Sequence, residues 1–242
     1  MQFIIILLLV IGIHELGHLL AALKLGVKVD RFSIGFGPRL WGWHFKETEY
    51  VVAAIPLGGY VKMDADSYKA ASPLRRVGIS AAGPLANFLL ALVVAFFAYS
   101  YIGVAQKNMT IPGGVTWAAA KSASKVTTDT AHSVVFVGKL FTGQIGLKDV
   151  VGPVAVAKAT STAADKGYLA VVALLIAVSI SIGVMNLLPL PVLDGGEIIM
   201  SSVEAATGWR MSLRAEDYLK RTMAVLLILL MAVITVKDFL VI

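Results

Sequence analysis

Two histidines four positions apart, His14 and His18, with Glu15 directly after the first, stand inside an apolar run that extends from Met1 to Leu23. At the centre of a membrane helix one charged residue costs roughly 2.5–3.5 kcal/mol on insertion scales, so three ionisable side chains there signal a function. A helix advances about 100° per residue, which brings i and i+4 back to within about 40° of each other and puts both imidazoles on one face. Two neutral imidazoles so placed can share one Zn²⁺, and a glutamate to their side can take a proton from the attacking water. The blander alternative, bundle-interior histidines bonded to neighbouring helices, fits poorly with a continuous apolar span.

Such a site needs elements to hold it. The chain has 242 residues, is 58% hydrophobic and contains no cysteine. Its mean hydropathy of +0.82 belongs to a multi-span helical membrane protein rather than to a soluble domain. Without thiolates, a metal must be held by His, Asp or Glu. The net charge of +6 comes from Lys and Arg at the borders of apolar runs, as expected beside anionic headgroups, so no nucleic-acid partner is implied.

Four runs are long enough to cross a bilayer, about 1–23, 79–102, 168–189 and 222–242. The first has no basic segment before it and carries polar residues within it, so it is expected to be retained. Period-two stretches at Asp30–Ile34 and Glu49–Ile55, with stops at Gly35–Pro38 and Pro56–Tyr60, predict short strands over about 29–63; Trp41, Trp43, Tyr50 and Tyr60 place them at the headgroup layer. Asn87 in the second run can bond across helices. A polar loop over about 103–167 contains a Pro112-Gly113-Gly114 break and a helix from about Val115 to Phe141. His132 has no acidic or histidine partner at i±4, and His44 lies beside aromatic residues in the strand region; both read as surface histidines. The expected fold class is an all-α polytopic membrane protein, four transmembrane helices with a small membrane-associated β-sheet between the first two, forming a single domain over 1–242.

Asn186-Leu187-Leu188-Pro189-Leu190-Pro191-Val192-Leu193-Asp194-Gly195-Gly196 follows the third span. Its prolines break the helix, and broken backbone at membrane depth is tolerated only against protein or water. Taken alone, Asp194 is as easily a turn former or N-cap. Parity decides: spans one and three cross in the same direction, so Asp194 emerges on the side of His14 and His18 and can be their third, oxygen ligand, leaving a position open for water. The loop cations favour the side of 24–77 and 190–221, which sets that side in the cytoplasm and both termini outside.

His14-Glu15-Leu16-Gly17-His18, Gly35-Phe36-Gly37, Pro56-Leu57-Gly58-Gly59-Tyr60, Ala82-Gly83-Pro84-Leu85-Ala86-Asn87 and the Asn186 to Gly195 segment together resemble the site-2 protease family of intramembrane zinc metalloproteases, most closely its bacterial regulator-of-sigma-E branch. The resemblance spans nearly the whole chain. It implies Zn²⁺ held by His14, His18 and Asp194, Glu15 as base, and substrate contacts by Asn186 and by the strand at Gly58, Gly59 and Tyr60. It further implies residence in the bacterial inner membrane and regulated proteolysis of single-span substrates such as anti-sigma factors and remnant signal peptides. Two departures stand out. The 103–167 loop, with Gln106-Lys107-Asn108-Met109 near its start, is too short for the PDZ domains of close relatives, and Glu197 stands where relatives often carry histidine.

Two other classes compete. A membrane protease cutting at the surface would take a glutamate as third ligand, and Glu204 is the only acid suited to it. A divalent-metal transporter or sensor would need polar groups along a path or repeated halves, and neither is present.

Overall fold

Leu, Ile and Ala dominate the first segment, and a backbone without water to bond must satisfy itself, which only a helix does locally. In the computed structural model, which describes residues 2–105, 114–146 and 149–241, that segment is helix α1 (Gln2–Lys24). Two strands follow, β1 (Val29–Phe45) and β2 (Thr48–Met63), then a short helix α2 (Ala65–Ala70) and a long one, α3 (Pro73–Ala105). The remaining helices are α4 (Val115–Phe141), α5 (Pro153–Asp165), α6 (Tyr168–Asn186), α7 (Asp194–Thr207) and α8 (Leu213–Val241). Among the described residues, four stretches, Gln2–Lys24, Pro73–Ile102, Tyr168–Asn186 and Arg214–Leu240, are long and apolar enough to cross a membrane. Gln106–Met109 and the Pro112-Gly113 part of the expected break lie outside the described residues.

The boundaries differ from the hydropathy pattern where charge and helix propensity part company. Helix α3 starts at Pro73, ahead of the apolar run, because proline is preorganised for a first helical position and Arg75 and Arg76 continue a helix readily. Helix α8 likewise starts at Leu213 and carries Lys220 and Arg221 in its first turns. Helix α6 ends at Asn186, short of the apolar limit, because a proline at 189 disfavours helical geometry before it.

The strands run through their expected stops. Gly35 and Gly37 take φ of 93° and 84°, conformations open to glycine, so β1 bends there instead of ending. Val29–Ile34 pairs antiparallel with Gly59–Met63, and Trp41–Phe45 pairs antiparallel with Thr48–Val52. Arg31–Ile34 also meets Glu49–Val52, in ascending order on both strands, so that contact runs parallel. The result is a small folded sheet in which Arg31–Ile34 has neighbours on both sides and Gly59–Met63 on one. Glu49 ties its middle by ion pairs to Arg31 (2.7 Å) and Arg39 (2.6 Å).

Two compact units divide the chain. The first joins Phe3–Ala86 to Met185–Ile228, the second Asn87–Val184 to Leu229–Ile242. In the first unit, Leu19 and Ala22 of α1 pack with Val27, with Val29 and Phe32 of β1, and with Ala71 and Ile79. This core sets the sheet against the C-terminal half of α1. In the second unit, the Ser179 hydroxyl of α6 donates to the carbonyl of the fully buried Asn87 (2.8 Å), a bond between helices.

Candidate metal centre

His14 and His18 are both buried on one face of α1, with their Nε2 atoms 3.2 Å apart. Glycines allow this face to meet α3. A Cβ on Gly17 would strike the Ala82 carbonyl and the Ala86 side chain, and one on Gly83 would run into Nε2 of both histidines. His18 Nδ1 lies 2.8 Å from the Ile79 carbonyl. A carbonyl only accepts, so Nδ1 carries the proton and Nε2 turns its lone pair to the site, which is the orienting bond expected behind a metal-binding imidazole.

The third member arrives through the broken segment after α6. Leu190 N–H donates to Leu188 O (2.7 Å) and Leu193 N–H to Leu190 O (2.8 Å), a tight path shaped by the two prolines. Gly195 and Gly196 are buried where a Cβ would strike the Leu187, Leu188 and Leu190 carbonyls, so only glycine lets α7 start this close to the turn. Asp194, the first residue of α7, is thereby brought to the imidazoles: Oδ2 lies 3.1 Å from His14 Nε2 and Oδ1 3.3 Å from His18 Nε2.

These residues suit zinc on geometry alone. Ligands at about 2.0–2.1 Å from a tetrahedral ion are separated by about 3.3 Å, and the three edges here are 3.1, 3.2 and 3.3 Å. The Asp194 Oδ2 atom is sealed from solvent without a well-formed hydrogen bond, an arrangement that leaves its lone pairs for a cation. Among the described residues, this trio is the one cluster of His and acidic groups close enough to hold a metal ion.

Glu15 projects from α1 toward β2. Its carboxylate faces the backbone N–H of Val61, and a Cβ on Gly59 would come within 3.1 Å of its Cγ. Gly58 lies against the Phe36 ring, and Tyr60 stacks on the same ring with centroids 6.2 Å apart. The expected substrate strand therefore passes beside the expected base. Asn186 closes α6 and is half-buried. Glu204 takes up Arg76 (2.5 Å) and Arg210 (3.7 Å), which removes it as a rival third ligand, and His44 and His132 are exposed. Sequence reasoning missed Gly17, Gly83 and the Ile79 carbonyl as parts of the site. The small residues in both motifs were the available signal for the glycines, whereas a backbone carbonyl leaves no mark in a sequence.

Comparisons with known proteins place this chain among metalloproteases. The profile of peptidase family M50 matches residues 2–230. A protein of Clostridium acetobutylicum named as a zinc metalloprotease is 29% identical, over 93% of this chain and 93% of its own length. One of Campylobacter jejuni with the same designation is 28% identical, over 97% of this chain and 91% of its own. Protease RseP of Yersinia pestis is 46% identical over 42% of this chain and 25% of its own length.

Proposed function

This chain belongs to peptidase family M50, a bacterial membrane protease with zinc as its metal, and from that premise we propose that it cuts single-span proteins within or beside their membrane segment. One observation carries the reading: His14 and His18 sit inside a helix long and apolar enough to cross a membrane, so the peptide must come to them there.

His14, His18 and Asp194 would hold the ion through Nε2, Nε2 and a carboxylate oxygen. When bound, zinc supplies Lewis acidity, polarising a carbonyl and lowering the pKa of water toward about 7. Glu15 accepts a proton from the attacking water and passes it to the leaving amine. The substrate must first unwind, because a helix hides its carbonyls in i→i−4 bonds. The one-sided strand Gly59–Met63 offers the freed backbone an edge to pair with, Gly59 lying beside Glu15 while Gly58 and Tyr60 pack on the Phe36 ring and contact the substrate strand. Asn186 bonds the substrate backbone near the turn.

Anti-sigma factors and remnant signal peptides suit such a site as clients of regulated proteolysis. The loop charges favour an inner-membrane enzyme with both termini outside and its centre toward the cytoplasm. The Clostridium match runs over 314 aligned positions, whereas 93% of 242 residues is about 225, so that relative holds about 90 positions without a counterpart here. A domain-sized insertion of that kind fits a PDZ domain, and we read this chain as one protease domain without it.

Purified protein incubated with a single-span substrate tests the reading. Cleavage should stop with a zinc chelator and return on adding zinc. Glu15→Gln should lower the rate about 10²–10⁴-fold with zinc still near one per chain. Chelator-resistant cleavage, or full activity of the Gln variant, would overturn it.

A further inference from the structure

Leu193, the residue just before α7, offers no side-chain cap to the helix that presents Asp194. The polar grip on that first turn comes instead from Glu197. Its carboxylate receives the Lys220 ammonium of α8 (2.9 Å) and the Ser201 hydroxyl (3.2 Å), and the Tyr68 hydroxyl of α2 also bonds it. Lys220 is held in turn by Glu216 (2.7 Å). The Glu197 side chain is only 12% exposed, so the grip lies largely out of water. Residues i and i+3 of a helix lie about 60° apart on neighbouring ground, and a rotation or slide of the first turn that freed Glu197 would carry Asp194 off the imidazoles.

We propose that Glu197, clamped by Lys220 and Tyr68, is a positioning residue that holds the first turn of α7 so that Asp194 meets His14 and His18. The inference rests on the metal-site reading above. It separates the two ends of α7: Glu197 sets the ligand, while the far end, where Glu204 pairs with Arg76, serves stability alone.

The experiment is zinc affinity of the purified full chain, measured by competition with a chelating dye, alongside the melting midpoint of the metal-free protein. Glu197→Gln and Lys220→Met should weaken zinc binding about 10–100-fold, the range for disturbed outer partners of a metal ligand, and Lys220→Arg should restore most of it. Glu204→Gln should lower the metal-free midpoint yet keep zinc affinity within about threefold. Lys220→Met leaves α7 unaltered and decides the matter should Glu197→Gln not fold. Unchanged affinity in both clamp variants, or an equal loss in Glu204→Gln, would overturn the proposal. Absence of zinc binding by the native chain would instead overturn the metal site on which it rests.

Discussion

Asp194 and Asp238 are both carboxylates withdrawn from solvent in an apolar chain, and their surroundings give them opposite work. Asp238, only 2% exposed, accepts the backbone N–H of Ala155 (3.0 Å) and pairs with Lys237 (3.1 Å). It supplies from α8 the cap that α5 lacks, since Gly152 has no side chain to give. Lys237 binds the Val150 carbonyl (2.6 Å), so a lysine and aspartate that hydropathy alone would leave at the membrane border staple α8 to the start of α5. Asp194 meets imidazole nitrogens rather than helix donors. A buried carboxylate saturated by N–H groups is structural, whereas one whose neighbours are themselves lone-pair donors calls for a cation.

The largest break in that contrast should come from Asp194→Ala. Bound zinc should fall from one per chain to near zero, and cleavage with it, while Asp238→Ala keeps full zinc stoichiometry by elemental analysis. Gly83→Ala should come next, because its methyl group enters the space of both Nε2 atoms; zinc affinity should drop roughly tenfold or more in a dye-competition titration. Asp238→Ala should then show its own deficit as a lower melting midpoint by a few degrees, with cleavage per folded molecule preserved.

The smallest effect is one of pH. Burial pushes the Glu197 carboxyl up, but Lys220 and the hydrogen bonds from Lys220, Tyr68 and Ser201 outweigh it and hold the group below its ordinary 4.5. A depressed folded value means that Glu197 contributes stability in full above about pH 4.5 and loses it as the pH falls through the folded value. Denaturation midpoints should therefore decline more steeply on the acid side in the native chain than in Glu197→Gln, and parallel curves would remove Glu197 from the balance.

Much of this was readable beforehand because it is local. The i, i+4 spacing of His14 and His18 dictates a shared face in any helix, and uninterrupted apolar runs dictate spans. Strand periodicity located the sheet over 29–63, but the stop expected at Gly35–Pro38 is a bend, because positive-φ glycines let β1 turn there, and β2 runs on through Pro56–Tyr60. The capping of α5 by Asp238 and the clamp on Glu197 were not readable, since both join residues far apart in the chain.

By itself, then, the sequence determined the membrane class, the two imidazoles with their glutamate, and two acids, Asp194 and Glu204, that could join them. Parity of the spans already favoured Asp194. Only the tertiary structure decided between them in atomic terms, committing Glu204 to Arg76 and bringing Asp194 within 3.3 Å of both imidazoles. The physical reason is that helical periodicity is set by near neighbours, whereas a third ligand depends on where the Pro189–Gly196 turn returns the chain, and glycine contacts with backbone carbonyls determine that position.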